Sequence, residues 1–329
     1  MSKLRLTGPR LPVKSQVAQS DRLNVIFMGT SEFAVPCLLK LLDNKNINLP
    51  VVVTVPDKPA GRSLEMSESP VKTVARSRGI PVLQPDDLRD PFFLRAIQGY
   101  NPDIAAVVAF RILPTELFTI PKMGCINLHA SLLPELRGAA PIQWALIRGY
   151  KETGVSTFLI ERKVDTGGLL AQSSIQIDEE DDAGSLSYKL SSLGAHLLFE
   201  TVLQVGNGEL MPQVQRGPTS LAPKITKELC KIDWTDTATT IHYLIRGLSP
   251  HPAAHSFLGD KIVKFFRTSV SGIHTENPGQ ITITADGSLL VGTGKGSLLI
   301  EELQLEGKKR MTSSEFLHGK AIQVGTVLH

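Results

Sequence analysis

Five short apolar runs constrain this chain more than any other feature. LNVIFM (residues 23–28), VVVTVPD (51–57), IPVLQP (80–85), DIAAVVAF (103–110) and GCINLHA (124–130) are dominated by Val, Ile, Leu and small apolar residues. Most lack the alternation of apolar and polar residues that marks a strand wet on one face. Strands buried on both faces belong to a parallel sheet covered by helices, and helical patterns fall between several of these runs. LNVIFM ends at Gly29-Thr30, Ser31 is placed to cap a helix, and Pro36 falls in its first turn. An α/β fold with a mostly parallel sheet is expected, and in such sheets ligands bind beyond the carboxyl ends of the strands. The turn after the first strand reads GTSEF, not GxGxxG, and no P-loop occurs.

The pattern changes after about residue 205. GNGELMPQVQRGPTSLAPK mixes Gly, Pro and polar residues without an apolar period and reads as a linker over residues 208–225. TATTIHYLIRGL then predicts a helix. KIVKFFRTSV, GQITITADGSLLVGTG and GSLLIEELQL follow as short alternating segments, with Asp286-Gly287 as a hairpin turn. A small antiparallel barrel is expected there. A length of 329 residues fits two domains at about 150 residues each.

Composition excludes several classes. The three cysteines, Cys37, Cys125 and Cys230, lie far apart and form no CxxC pair, which fits a reducing compartment rather than a disulfide scaffold or zinc site. No apolar run approaches the roughly 20 residues that span a bilayer. The net charge of +3 is too small to indicate nucleic-acid binding by itself. Residues 1–20 carry Lys and Arg but no acid, as a disordered extension or an organelle transit peptide would; two prolines and little amphipathic pattern favour the extension.

Within INLHASLLPELRGAAPIQWAL, Asn127 and His129 stand two residues apart at an expected strand end, so both side chains face the same side. Asn can donate to a developing oxyanion, and His can move a proton. A satisfied buried polar pair has the same spacing, and both readings stand. Pro134, Arg137-Gly138 and Pro141 make the loop that follows a constrained one. Asp165 opens DTGG, a turn-prone cluster. One DTG does not make an aspartic protease, whose chemistry needs two carboxylates. DKPAGRSLEMSESPVK, with Lys58, Arg62 and Lys72, lies on the ligand-binding rim or is simply a solvated loop.

MGTSEFAVPCL, PDKPAGR, SPVK, VVAFRILP, GCINLHASLLP, ETGVSTF, DTGGLL, KIDW, IRGLSPHPAA and GKKRM follow one another from about residue 23 into the C-terminal region. In these motifs and their order the chain resembles the methionyl-tRNA formyltransferase family. NxHxSLLP alone indicates the wider formyltetrahydrofolate-using superfamily; KIDW and IRGLSPHPAA narrow it to the tRNA enzyme. The resemblance implies a Rossmann-like catalytic domain over residues 22–207 after an extension at 1–21 expected to be disordered. It also implies the linker at 208–225 and a C-terminal OB-like tRNA-binding barrel at 226–329. The implied reaction moves a formyl group from 10-formyltetrahydrofolate to the α-amine of methionine on initiator tRNA, without a metal. Asn127 and His129 would stabilise the oxyanion of the tetrahedral intermediate, His129 would also move protons, and Asp165 would orient it.

Folate would lie along Phe110, Arg111, Ile112 and Leu113, with Ser131, Leu132, Leu133 and Pro134 as the adjoining wall. Lys58 and Arg62 would sit in the loop that enters the acceptor end of the tRNA. Lys224, Lys227, Lys308, Lys309 and Arg310 would hold its backbone. After Gly61-Arg62 many members have Gly and Lys; this chain has Ser63-Leu64-Glu65, a stiffer segment whose acid repels phosphate. The resemblance implies a monomer in the bacterial cytoplasm, or in an organelle if residues 1–20 are a transit peptide. Two other functions share parts of this pattern: formyl transfer to an amino-sugar nucleotide, and folate or tRNA binding without catalysis. The C-terminal motifs oppose the first, and intact Asn127, His129 and Asp165 the second.

Overall fold

The computed structural model describes residues 4–6, 22–60, 65–273, 277–318 and 325–329. The chain sorts into two compact units, each assembled from three stretches. One comprises Met1–Gly138, Glu152–Gln176 and Ser187–Leu221; the other comprises Ala139–Lys151, Ile177–Leu186 and Ala222–His329.

The strands of the first unit are β1 (Leu4–Leu6), β2 (Leu23–Gly29), β3 (Ile47–Asn48), β4 (Val52–Val53), β5 (Lys58–Ala60) and β6 (Glu65–Ser67). They continue with β7 (Val82–Leu83), β8 (Ile104–Val108), β9 (Cys125–His129), β10 (Glu152–Leu159) and β11 (Leu169–Gln176). Along this stretch and just beyond it run helices α1 (Val35–Leu42), α2 (Pro70–Ser77), α3 (Pro91–Gly99), α4 (Thr115–Phe118), α5 (Pro141–Ile147) and α6 (Ala183–Gly206). The main sheet has the order β1-β11-β10-β9-β8-β2-β4-β7, with β3 beside β2. Strands β7, β4, β2, β8 and β9 are mutually parallel, and β10, β11 and β1 extend the sheet antiparallel. Val25, Ile26, Phe27 and Met28 of β2 are all fully buried, as is Ile104 to Ala106 of β8, which is why these strands read as continuous apolar runs.

The helix starts are written in the sequence. Ser69 and Asp90 accept backbone N–H groups of the first turns of α2 and α3, and each is followed by a proline whose missing N–H costs nothing there. Ser31 precedes a 3-10 turn (Glu32–Ala34) without making the expected side-chain cap. Ile26, Met28, Val53, Ala105 and Val107 pack with Phe93, Ile97 and Leu117 to form one core layer. The extension expected to be disordered contains β1, which pairs with Ala171 to Ser173 of β11. Leu4–Leu6 lie along the edge of β11; residues 1–3 and 7–21 lie outside the described residues.

The second unit adds α7 (Ala238–Leu248), β12 (Ala254–Leu258), β13 (Lys261–Ser271), β14 (Ile281–Ile283), β15 (Leu289–Gly292), β16 (Ser297–Leu305), β17 (Met311–Thr312) and α8 (Ser313–His318). Its antiparallel sheet has the order β12-β13-β16-β15-β14, with β17 on β16. Register shifts near Arg267 bend the long strand β13. The segment 325–329 lies between the two edges. Phe257 and His329 exchange backbone hydrogen bonds on the β12 side, while Ile281 donates to the Thr326 carbonyl and Leu328 to that of Gly279 on the β14 side. The sheet thereby closes into the expected barrel. Its core includes Trp234 edge-on to Phe265 at 5.6 Å, and Ile241, Ile245 and Leu248 of α7. The buried Trp234 Nε1–H donates to Ser256 Oγ at 2.9 Å.

Candidate active site

Strand β9 lies between parallel β8 and antiparallel β10, so its carboxyl end opens beside that of β8. Asn127 stands opposite Val107 and Phe158, and His129 opposite Ser156. The half-buried Asn127 carboxamide has no hydrogen-bond partner among the described residues. His129 is 6% exposed. Its Nε2 lies 2.9 Å from the Leu136 carbonyl oxygen, which can only accept, so Nε2 carries the hydrogen. Nδ1 then faces Asp165, 3.9 Å from Oδ2, and both side chains are largely shielded from water. The same Asp165 oxygen accepts the Gly138 N–H at 2.8 Å. The Asn127-His129 pair and Asp165, far apart in the sequence, therefore meet at one strand end.

The backbone around this point is held in uncommon conformations. Ala109, Leu136 and Asp165 have φ of 47°, 56° and 55°, a region that non-glycine residues adopt only where surrounding contacts fix them. The contacts that fix two of them come from residues 213–221. Ser220 accepts the Leu136 N–H on its hydroxyl and the Arg137 N–H on its carbonyl, both at 2.9 Å. Gln215 bonds Arg137 and the Asp165 turn together. At Gly167 a Cβ would stand 1.8 Å from the Leu159 carbonyl oxygen, so this turn can pass only with glycine.

The wall Ser131 to Pro134 is equally fixed. The Ser156 hydroxyl donates to the Ser131 carbonyl at 2.6 Å and accepts the Leu133 N–H at 3.0 Å. Gln172 Nε2 donates to both the Leu133 carbonyl and Ser156 Oγ at 2.9 Å. Leu132 is half-buried, and Ser131, Leu133 and Pro134 are buried. Beyond β8, Phe110 is half-buried, Ile112 is 76% exposed and Leu113 is buried. The Arg111 guanidinium donates to the carbonyls of Pro85 and Asp86 and sits 5.4 Å from the Phe110 ring centre, while its buried Nε has no partner. Thr30 Oγ1, just past the end of β2, is also buried and unpartnered.

The basic candidates divide between surfaces and pairs. Lys58 is exposed on β5, and Arg62 lies outside the described residues. Lys72 is paired with Asp57 and Glu68, and that contact with the help of Gln84 holds the Asp57 carboxyl below the usual range. Lys72 thus anchors the base of the loop. Lys224, Lys227, Lys308 and Lys309 are exposed in the second unit. Arg310 pairs with Glu302 and lies 4.5 Å from the Phe266 ring centre. Sequence reasoning missed Ser156, Gln172, Gln215 and Ser220, all of which act on backbone groups. The buried Ser and Thr of GVSTF were the available signal for Ser156.

The chain thus has a mostly parallel sheet with Asn127, His129 and Asp165 gathered at one strand end, and an antiparallel barrel in its second unit. Residues 22–202 match the family model described as formyl transferase, and residues 224–321 match formyl transferase, C-terminal domain. A methionyl-tRNA formyltransferase of Thermodesulfovibrio yellowstonii is 47% identical over 302 residues, covering 92% of this chain and 97% of that protein. Among solved structures, a methionyl-tRNA formyltransferase from Clostridium thermocellum superposes with a TM-score of 0.52 at 18% identity, over 76% of this chain and 94% of that one. An N-formyltransferase from Helicobacter canadensis, in complex with folinic acid and dTDP-3-aminofucose, superposes with a TM-score of 0.64 at 18% identity, over 88% of this chain and 100% of that one. The two structures share the fold. The chain belongs to the methionyl-tRNA formyltransferase family.

Proposed function

We propose that this chain transfers the formyl group of 10-formyltetrahydrofolate to the α-amine of methionine on initiator tRNA, and that Asn127, His129 and Asp165 carry the step. The observation that supports this most is the meeting of Asp165 with His129 at the end of β9, 3.9 Å apart, in a chain matched to formyl transferases along most of its length. As the amine adds to the formyl carbon, negative charge grows on the formyl oxygen. The Asn127 carboxamide is placed to donate to it. His129, fixed through Nε2–H to Leu136, has Nδ1 left to take the amine's proton, and a proton there stands beside the Asp165 carboxylate. Because these groups are already held, they need no reorganisation as charge develops.

The co-substrate fits the residues beside the site. A flat heterocycle with polar edges suits an apolar rim with a few convergent polar groups. Phe110, Ile112, Leu113 and the braced wall Ser131, Leu132, Leu133 and Pro134 supply the first; the unpartnered Arg111 Nε supplies one of the second. Lys58 and Arg62 would meet the acceptor end of the tRNA, and Lys224, Lys227, Lys308, Lys309 and Arg310 its phosphates. Such contacts position the ligand and make its binding fall with salt. The division into 22–207, 208–225 and 226–329, a monomer and a cytoplasmic setting belong to the same proposal. Three buried free thiols suit a reducing compartment, with Cys37 and Cys125 pushed up to about 12 by burial.

The test is formyl transfer from 10-formyltetrahydrofolate to methionyl initiator tRNA, run beside a dTDP-amino sugar. The tRNA is expected to react, and Asn127→Ala to lower kcat by about 100- to 1,000-fold, with His129→Ala at least as damaging. Reaction of the sugar alone would move the acceptor and overturn the tRNA assignment. Full activity of His129→Ala would remove the catalytic assignment.

A further inference from the structure

We infer that Gln215, in the stretch that reads as a linker, is a positioning residue for the reaction: it clamps the Asp165 turn to the loop that holds His129. This rests on the function proposed above. The Gln215 Oε1 accepts from Arg137 Nη2 at 2.6 Å. Its Nε2 donates to the carbonyls of Asp165 at 3.0 Å and Gly167 at 2.9 Å. The amide orientation is fixed by chemistry, since a guanidinium can only donate and two carbonyls can only accept.

The three bonds tie together the pieces that flank the imidazole. On one side Leu136, next to Arg137, offers the carbonyl that takes the His129 Nε2–H. On the other, Asp165 faces Nδ1 while its φ of 55° requires outside support. Around Gln215 the strap is itself secured, by Gln213 exchanging backbone hydrogen bonds with Leu169 and by Ser220 holding Leu136 and Arg137. The hydrogen bonds of Gln215 go to Arg137 and to the backbone carbonyls of Asp165 and Gly167, not to His129 or the Asp165 carboxylate. It fixes the backbone from which the carboxylate is aimed, and the Gly138 N–H to Asp165 Oδ2 bond reports that aim.

A double-mutant cycle tests this. In the wild-type background Gln215→Ala is expected to lower kcat about ten- to hundred-fold, the scale of an ångström-sized misplacement, with KM for the folate and the tRNA nearly unchanged. In an Asp165→Asn background the same substitution should change kcat by no more than about two-fold, because its route of action is already gone. Gln215→Glu is isosteric and keeps the acceptor for Arg137 but turns carboxylate oxygens on two carbonyls. It is expected to be as impaired as the alanine variant. Multiplying effects in the double mutant, or wild-type kcat in Gln215→Glu, would overturn the inference. Amide exchange at Gly138 gives a readout independent of substrate: it should quicken in Gln215→Ala while protection in β8 and β9 is retained. Unchanged exchange refutes the clamp even if the tRNA reaction itself is not found, whereas failure of the wild-type reaction with quickened exchange refutes only the function proposed above.

Discussion

At the scale of single residues, this protein uses burial for quite different ends. His129 is buried against a carbonyl and near a carboxylate, where the proposed reaction needs a proton exchanged. His242, on α7, is half-buried as a neutral ring. Loss of water around it, and next the charge of Arg246, push its pKa down from 6.5 to about 4; Glu180 opposes the shift, Lys151 adds to it, and Thr268 Oγ1 lies 3.1 Å from Nδ1. An unfolded chain therefore binds a proton at pH 5 that the folded chain refuses. The sign follows by linkage: stability is full above about pH 6.5 and falls as pH drops toward 4. His242→Gln, which can still bond Thr268, should show a smaller loss of melting temperature between pH 7 and pH 5 than the wild type. Equal losses in the two proteins would show that another group controls the acid limb. Of the residues at the site, Asn127 and His129 were legible because a strand has period two. Asp165 could be named but not placed beside them, because the chain leaves the strand end and returns through β10. Gln215 and Gln172 left no trace, since a side chain that bonds backbone carbonyls has no partner residue type to be recognised by.

At the scale of elements, the wall from Ser131 to Pro134 owes its shape to one hydroxyl. Ser156 serves the Ser131 carbonyl, the Leu133 N–H and the Gln172 amide together. Ser156→Ala leaves these groups unsatisfied in a buried place and should destabilise the protein by about 1–3 kcal/mol. Because the wall adjoins the proposed folate site, the variant's KM should rise for 10-formyltetrahydrofolate and not for tRNA. A selective rise for tRNA would mean the wall belongs to the other substrate. The elements themselves were the most legible part of the chain. Unbroken apolar runs gave the parallel strands and Asp286-Gly287 the turn between β14 and β15, whereas the cap expected at Ser31 does not form. The strand β1 was not legible, because LRL in a basic extension has too few residues to show a pattern. The stretch 208–225 holds no named helix or strand, yet lack of regular structure says nothing about how many hydrogen bonds a segment makes.

At the scale of the whole molecule, neither compact unit is a continuous piece of sequence. The second unit needs Ala139–Lys151 and Ile177–Leu186 in addition to its C-terminal stretch. Ile147 of α5 packs against the core around Trp234, Trp144 Nε1–H donates to the Pro223 carbonyl, and the Arg246 guanidinium donates to the carbonyls of Asp178 and Asp181. A fragment of residues 226–329 lacks all of these and should melt well below the barrel of the full chain, by circular dichroism. A cooperative transition at the full-length temperature would show that the barrel is self-sufficient. The sequence patterns suggested two domains; that each unit draws on separated stretches was not legible, because it depends on which helix covers which core.

The seam made by residues 325–329 also sets an order of events. During synthesis this segment emerges after every strand it joins. Until it arrives, β14 and the Phe257 end of β12 lack the partners it brings, although His255 of β12 is already bonded to Cys230 and Ile232, and unpaired strand edges invite pairing with other chains. These contacts therefore form after the strands they join are made, and they link parts of the sequence that are far apart and slow to meet. The growing protein passes through an interval in which its sheet is built but unsealed, and a companion that shields strand edges would be of most use during that interval.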